Sequence, residues 1–177
     1  NSKCIVDLLP KDCCIIEYGS GNDRKISPIL NSTNKVQRYI PIDISSEILY
    51  ETSKNLQKRW PEIDIHPICA DITKIPHEQI QNSLDSLTPV VFFPGSTIGN
   101  FNSEGANKLL KGVLSIIRKN GHLILGIDLE KNKETLLKAY DDSQKITAAF
   151  NLNLIDRLVN ELGADIKKSN FKHLVKY

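Results

Sequence analysis

The sequence lacks the features of a membrane protein or a nucleic-acid-binding protein. No apolar run approaches the roughly 20 residues that a membrane-spanning helix needs, and the first residues show no signal-peptide pattern. A net charge of +2, without a basic stripe interleaved with aromatic residues, gives no reason to expect a nucleic-acid partner. We therefore expect a cytoplasmic protein that binds neither membranes nor nucleic acids.

Metal-binding patterns and methionine are also missing. The four cysteines contain no CxxC pair, and the four histidines show neither HxxxH nor HxH spacing. We expect reduced cysteines and no bound metal. Because the chain contains no methionine, an initiator is missing, and we interpret the 177 residues as a possible fragment of a longer protein.

The residues that are present predict a single domain over residues 1–177 in which strands alternate with helices. The length suffices for one sizeable core, and hydrophobic and charged contents of 40% and 25% are ordinary for a globular chain. Apolar runs predict strands at 14–18, 38–44, 63–71, 89–95 and 122–128. Helical spacing predicts helices at 24–32, between Ser45 and Trp60, and at 103–119, 133–149 and 151–163, with a short helix within 72–88. This order predicts an α/β fold with a largely parallel sheet.

Prolines and glycines are expected to limit several of these elements. Pro28 is tolerable only in the first turn of its helix, and Pro41 predicts an imperfect hydrogen-bond ladder in the second strand. Gly121 is expected to end the helix that begins at Ser103.

Glycines and acidic residues follow the predicted strands, where ligands of parallel sheets bind. The first strand leads into Gly19-Ser20-Gly21, and Asp43 follows 22 residues after Gly21, at the end of the second strand. This is about the spacing at which a carboxylate accepts two ribose hydroxyls. Asp71, after the third strand, is suited to accept from an adenine amino group. The pattern predicts a ligand that contains adenosine.

The glycine spacing favours one adenosine ligand over others. A dinucleotide site would place a third glycine where Arg24 stands, and no GxxxxGK[ST] phosphate loop is present. The spacing E-x-G-x-G is commoner with S-adenosylmethionine, which has no phosphate, and a carboxylate near the loop would favour its sulfonium cation. The alternatives are a nicotinamide-dependent oxidoreductase of similar fold and a non-catalytic remnant that binds a nucleoside. In the plainest alternative, the glycines only make a turn and the acidic residues only cap helices.

Longer segments resemble one family. "FFPGSTIGNF" (92–101), "LGIDLEKNKETLLKAYDD" (125–142) and "ITAAFNLNLIDRLVNELGADI" (146–166) resemble the S-adenosylmethionine-dependent, histidine-specific methyltransferases. The best-known member of that family makes trimethylated histidine, hercynine, on the ergothioneine pathway. "EYGSG", "RYIPIDIS" and "CAD" resemble the same family in the same order, so the resemblance covers essentially the whole chain. It implies a Rossmann-like class I methyltransferase fold.

The resemblance also implies roles for individual residues in binding the cofactor, S-adenosylmethionine. It assigns Gly19 and Lys25 to the methionine-side and backbone contacts of the cofactor. Gly21, in the same loop, is also expected to bind the cofactor. It assigns Asp43 to the ribose, and Asp71 with Ile72 to the adenine.

On the substrate side, the resemblance implies that Asn100 binds the amino and carboxylate groups of an amino acid. It implies that Tyr140 binds the carboxylate and that Thr147 lines the pocket nearby. The expected activity is methylation of the α-amino group of histidine or a related amino acid, with no catalytic residue assigned. The family's N-terminal helical region and its later imidazole-binding segment have no counterpart in this sequence, so we expect that these 177 residues alone could be inactive.

Overall fold

The structure, a computed structural model, describes residues 2–177 and is dominated by a parallel β-sheet. The strands are Cys13–Tyr18 (β1), Val36–Asp43 (β2), Asp64–Ile65 (β3), Ile68–Cys69 (β4), Thr88–Phe93 (β5) and His122–Leu125 (β6). All their pairings are parallel, in the order β3-β2-β1-β5-β6, with β4 also paired to β2. The predicted α/β fold with a largely parallel sheet is confirmed.

The helices fall into two compact units. The first unit extends to Asp128 and contains Ser2–Leu8 (α1), Ser27–Leu30 (α2), Ser46–Arg59 (α3), His77–Asn82 (α4) and Ser103–Ile117 (α5). The second unit, Leu129–Tyr177, contains Lys133–Tyr140 (α6) and Ile146–Leu162 (α7). The single domain over residues 1–177 stays a prediction.

The core of the first unit lies on both faces of the sheet. Successive side chains of β1 point to opposite faces, so Ile15 joins one apolar layer and Ile16 joins the other. Helices α2 and α3 close the first layer, and α4 and α5 close the second. Their buried contributions are Ile29, Leu30 and Leu56 in the first layer, and Ile80, Val113 and Ile116 in the second. Burial on both faces explains why the strand sequences are almost continuously apolar.

Two prolines interrupt the outer part of the sheet. The single strand predicted at 63–71 is wrong: β3 and β4 are separate two-residue strands with His66 and Pro67 between them. Strand β2 pairs with β3 through residues 38 and 39 and with β4 through residues 42 and 43. Pro41 lies at the gap between these pairings and has no N–H to donate. The imperfect ladder predicted from Pro41 is confirmed.

Two predicted helices of the first unit end earlier than expected. The helix predicted at 24–32 is reduced to Ser27–Leu30, with Pro28 in its first turn as predicted. Helix α5 ends at Ile117 because Arg118 takes a positive φ of 50°, so the prediction that Gly121 ends the helix is wrong.

In the second unit, the predicted boundary between the last two helices is also wrong. The break lies at 141–145 and not near residue 150. Lys145 has a φ of 58°, and the Asp142 carboxylate accepts hydrogen bonds from the N–H groups of Ile146 and Thr147. Capping by Asp142 therefore begins α7 several residues before the predicted start.

Candidate cofactor and substrate site

The order of the strands reverses around β1, which lies between β2 and β5. Ligands of doubly wound sheets bind at the carboxyl ends of the strands beside such a reversal. Asp43 is the last residue of β2 at that edge, and the loops after β1, β4 and β5 carry Gly19–Gly21, Asp71 and Asn100 there. The predicted cofactor residues therefore share one edge of one sheet.

The loop after β1 needs glycine for its backbone conformation. Gly19 and Gly21 have φ angles of 68° and 55°, which L-residues with a side chain rarely adopt. A Cβ built on either glycine would have no heavy atom within 4 Å, so crowding is not the reason. The N–H groups of Gly19 and Ser20 donate to the Ile42 carbonyl oxygen at 2.9 and 3.1 Å. The loop is thereby attached to the end of β2.

Asp43 connects the loop after β1 with the start of α3. Its Oδ2 accepts from the Gly21 N–H at 2.9 Å, and its Oδ1 accepts from the Ser45 N–H at 2.9 Å. Each carboxylate oxygen has a second lone pair for a ligand donor, and the residue is half-buried. The two residues that the sequence analysis linked by their spacing are therefore in direct contact.

The Lys25 side chain contacts both the glycine loop and Glu17. Its Nζ donates to the Gly19 carbonyl oxygen at 2.9 Å and lies 3.4 Å from Oε1 of Glu17. The Lys25 side chain is only partly exposed, whereas Glu17 is fully buried. The loop backbone and a lysine are thus held together directly above a buried carboxyl group.

The environment of Glu17 is the main feature of the site that the sequence analysis did not assign. Tyr39, on the neighbouring strand β2, donates its hydroxyl to Glu17 Oε2 at 2.7 Å. Oε1 has the Lys25 ammonium at ion-pair distance and no hydrogen bond among the residues described. Burial raises the pKa of Glu17 to about 7, although the Tyr39 hydrogen bond and the Lys25 charge act to lower it. The E of E-x-G-x-G was the available signal, but its pairing with Tyr39 depends on strand register.

Asp71 and Ile72 follow β4. Asp71 Oδ1 accepts from both the backbone N–H and the hydroxyl of Thr73, each at 2.8 Å. These two bonds hold the pKa of Asp71 below its usual value. The turn is therefore set by Asp71 itself and presents a charged carboxylate at the edge of the sheet.

Ile72 lines a small cavity beneath the same edge. The cavity measures about 150 Å³, and its walls include Tyr18 at the end of β1 and Phe101 after β5. Tyr18 is 1% exposed, and its hydroxyl has no hydrogen-bond partner among the described residues. An engineered cavity of about this volume holds one benzene-sized ring. Larger hollows, of about 750 and 590 Å³, are lined by α4 and by the opposite edge of the sheet.

Asn100 ends a short 3₁₀ turn, Thr97–Asn100, which follows β5. Gly95 and Ser96 enter the turn with φ angles of 80° and 59°, and the Ser96 hydroxyl accepts from the Asp128 N–H at 2.8 Å. Asn100 is exposed at the sheet edge. The loop backbone is anchored while this amide side chain remains accessible to a ligand.

Tyr140 and Thr147 lie in the second unit and are described within it. Tyr140 is the last residue of α6 and is 57% exposed, and its carbonyl oxygen lies 2.7 Å from Nε2 of His173. Thr147 lies in the first turn of α7, where its N–H donates to Asp142 at 2.9 Å. Both residues therefore flank the capped break between the two helices.

Neither a metal-binding cluster nor a membrane-spanning helix occurs among residues 2–177. Residues 2–177 contain no group of three or more histidine, cysteine or acidic side chains arranged to hold a metal ion. None of the helices described is long and apolar enough to cross a membrane. All four cysteines are free thiols: Cys13 and Cys14 are buried, and Cys4 and Cys69 are exposed.

Comparison with known proteins identifies the family. Residues 1–177 match the family described as "Histidine-specific methyltransferase, SAM-dependent". The chain belongs to this family. It is 31% identical to histidine N-alpha-methyltransferase of Mycolicibacterium smegmatis, over 92% of this chain and 50% of that protein. It is 29% identical to ergothioneine biosynthesis protein 1 of Neurospora crassa, over 89% of this chain and 18% of that protein. The chain spans about half the length of the bacterial relative.

Solved structures agree on the fold of this member of the histidine-specific methyltransferase family. A candidate S-adenosyl-L-methionine-dependent methyltransferase from Methanococcus maripaludis superimposes with a TM-score of 0.51 at 14% identity, over 92% of this chain and 74% of that chain. A candidate methyltransferase from Bacillus halodurans C-125 gives a TM-score of 0.54 at 12% identity, over 81% and 56%. The predicted Rossmann-like methyltransferase fold is confirmed.

Proposed function

We propose that this protein transfers a methyl group from S-adenosylmethionine to the α-amino nitrogen of histidine. The observation that carries the proposal is the bond between the Gly21 N–H and Asp43, which joins a positive-φ glycine loop to an acidic strand end where the sheet order reverses. Membership of the family supports the cofactor. A relative that carries the name histidine N-alpha-methyltransferase supports histidine as the acceptor.

The residues at the sheet edge fit an adenosine compound with an amino-acid tail. Asp43 would accept from the ribose hydroxyls through its remaining lone pairs. Lys25 and the backbone of Gly19 and Gly21 would contact the amino-acid tail. The cavity beside Ile72 is of the right size for one benzene-sized ring and would take part of the two-ring adenine base.

Asp71 and the three predicted substrate residues complete the proposal. Asp71 would accept from the adenine amino group at the rim of the cavity. Asn100 would bind the amino and carboxylate groups of the amino acid. Tyr140 would bind the substrate carboxylate, and Thr147 would line the pocket near it.

The residues contribute chiefly by positioning. S-adenosylmethionine supplies a methyl group that its sulfonium charge already activates. The substrate residues would hold the amine lone pair in line with the S–CH₃ bond, and such orientation can lower a barrier by roughly 7 to 11 kcal/mol. The amine must be neutral to attack, and a nearby sulfonium cation favours its deprotonated form. We assign no general base, so water would carry the released proton away.

The setting we propose is the cytoplasm, with a free amino acid as substrate and no nucleic-acid or membrane partner. The free thiols, including exposed Cys4 and Cys69, suit a reducing compartment. The near-neutral net charge of +2 suits a small-molecule enzyme better than a binder of phosphate backbones.

A methylation assay tests this function. Mass spectrometry should detect mono-, di- and trimethylated histidine when the full-length protein is incubated with S-adenosylmethionine and histidine. Replacing histidine with another amino acid should give less product. Absence of any methylated amino acid while S-adenosylmethionine is bound would contradict the proposed activity.

Asn100→Ala should separate substrate binding from cofactor binding. We expect kcat/KM for histidine to fall at least tenfold, because the substrate loses an orienting amide, while the Kd for S-adenosylhomocysteine changes less than about twofold. Asn107→Ala, which removes an exposed asparagine from α5, is the matched control. If cofactor affinity and kcat/KM fell together in Asn100→Ala, Asn100 would be structural and not substrate-binding.

A further inference from the structure

Glu17 occupies an unusual position for an acidic side chain. It is the second-to-last residue of β1, is 0% exposed and lies beneath the loop that begins at Gly19. One carboxyl oxygen accepts from Tyr39, whereas the other has only the Lys25 ammonium at 3.4 Å. A group buried so completely cannot contact substrate, but its charge acts on a ligand above the loop through a medium of low dielectric constant.

The charged groups around Glu17 come from two sides. Strand β2 contributes Tyr39 and, at its end, the Asp43 carboxylate, which is near enough to influence the titration of Glu17. The loop before α2 contributes Lys25, and Asp23 in the same loop is held by Arg59 of α3 at 2.5 Å. On the other side, β5 places the apolar Phe92 opposite Glu17. Lys25 is therefore the positive charge that directly faces Glu17.

We propose that Glu17 determines specificity for the charge of the cofactor: it is ionised when a sulfonium occupies the site and protonated when a neutral thioether does. Glu17 thereby favours S-adenosylmethionine over S-adenosylhomocysteine and promotes exchange of product for substrate. This inference rests on the proposed function, because it assumes that the cofactor's sulfur lies above the glycine loop.

The charges of the reaction balance under this assignment. The C–S bond breaks as the C–N bond forms, the electron pair of the C–S bond stays on sulfur, and the positive charge moves to nitrogen. After the first and second transfers the methylated ammonium releases one proton to water, whereas the trimethylated product has no N–H and keeps its positive charge. After the charge leaves sulfur, Glu17 lies beside one cation fewer, and proton uptake from solvent removes a buried negative charge that has lost part of its compensation.

The titration range of Glu17 suits such a role. Burial has already raised its pKa to about 7, so a modest change in local charge alters its protonation at neutral pH. A bound sulfonium lowers the pKa of Glu17 relative to the thioether complex. Each unit of difference between the two complexes changes the relative affinity tenfold across the pH range between the two pKa values.

Calorimetric titration with both compounds at pH 6 and pH 8 tests the inference. For the wild-type chain, the ratio Kd(S-adenosylhomocysteine)/Kd(S-adenosylmethionine) should rise about tenfold from pH 6 to pH 8. In Glu17→Gln a neutral amide that does not titrate replaces the carboxyl, so the ratio should change with pH only as far as the ligands themselves titrate. An equal rise in both proteins would overturn the inference. Failure of either compound to bind at any pH would instead contradict the proposed function.

Tyr39→Phe gives a second test if Glu17→Gln does not fold. The change keeps the buried ring but removes the hydroxyl that donates to Glu17 Oε2. Loss of this donor destabilises the ionised carboxylate, so the pH at which S-adenosylmethionine becomes preferred should move upward. If the pH at which S-adenosylmethionine becomes preferred stayed at its wild-type value, Glu17 would not determine the preference between the two compounds.

Discussion

Glu17 and Tyr39 form a buried polar pair beneath the glycine loop, beside the partly exposed Lys25, where most neighbouring side chains are apolar. Removal of a carboxyl group from water disfavours its charged form, and neither the phenol nor the ammonium offsets this fully. The first unit therefore keeps a polar group that costs stability at neutral pH. Such groups are common where a site needs a particular charge.

This cost predicts how the stability of the protein depends on pH. The pKa of Glu17 is about 7 in the folded chain and near 4.5 in an unfolded one, so the folded state binds more protons between these values. Its contribution to the free energy of unfolding therefore falls as pH rises from about 4.5 to about 7. The total change should be on the order of 3 kcal/mol. Urea unfolding at pH 5 and pH 8 measures it.

Glu17→Gln should remove this fall in the free energy of unfolding with rising pH, because the amide does not titrate. Relative to wild type, the variant should therefore gain stability between pH 5 and pH 8. Glu51→Gln, which removes an exposed carboxyl from α3, controls for the change in net charge. Parallel stability curves for wild type and Glu17→Gln would contradict the assignment of a raised pKa.

At the residue scale, the sequence indicated which side chains lie at strand ends but not what they contact. Gly21 and Asp43 could be linked because the spacing of the first two strands predicts it. The Glu17–Tyr39 bond could not, because β1 and β2 have a register irregularity at Cys13 and Cys14 that no sequence pattern indicates. Burial of Glu17 likewise follows from packing on both faces of the sheet.

At the scale of elements, the loop after β1 depends on its backbone conformation. Gly19→Ala places a Cβ at a φ of 68° in open space, so its cost is conformational and should be about 1 to 2 kcal/mol of unfolding free energy. The same change should weaken S-adenosylhomocysteine binding, because the loop is displaced.

Gly99→Ala is the matched control for Gly19→Ala. Gly99 has no positive φ, and the nearest heavy atom to a built Cβ is Ser96 Oγ at 3.9 Å. The control should therefore lose less stability than Gly19→Ala. Equal losses in urea unfolding would show that the strain of a left-handed residue is not what the loop requires.

The start of α7 depends on Asp142. Hydrogen bonds from the N–H groups of Thr147 and Ile146 lower the pKa of Asp142 to about 2 from an ordinary value of 3.8. The stabilisation is fully present above the ordinary value and is lost as pH falls towards 2. Asp142→Ala should speed amide hydrogen exchange at residues 146 and 147 at neutral pH.

Asp141→Ala is the control, since the Asp141 side chain forms an exposed ion pair with Lys145, at 2.8 Å, and does not cap α7. Exchange at residues 146 and 147 should change little in this variant. Equal acceleration in both variants would mean that Asp142 does not cap the helix.

The boundaries of helices and strands were predicted where proline or apolar periodicity determines them. They were missed where a side-chain cap or a residue with a positive φ determines them. The effects of Pro28 and Pro41 follow from the missing N–H. The end of α5 could not be predicted, because Arg118 adopts a positive φ although arginine has no preference for it. The start of α7 was misplaced because capping by Asp142 acts across several residues.

At the scale of the whole molecule, the order of strands and helices was sufficient to predict the parallel sheet and the sheet edge that carries Gly21, Asp43, Asp71 and Asn100. The division at residue 128 was not predictable, because the predicted elements continue across it without a proline- or glycine-rich linker.

The most direct test of the central claim is calorimetric titration of the protein with S-adenosylhomocysteine, alongside NADH and ATP. We predict selective binding of S-adenosylhomocysteine, weakened by about 1.5 to 3 kcal/mol in Asp43→Ala because hydrogen bonds to a charged group are lost. Asp7→Ala, which removes an exposed carboxylate from α1, should bind like wild type. Binding of NADH in preference to S-adenosylhomocysteine, or an affinity that Asp43→Ala leaves unchanged, would contradict the account.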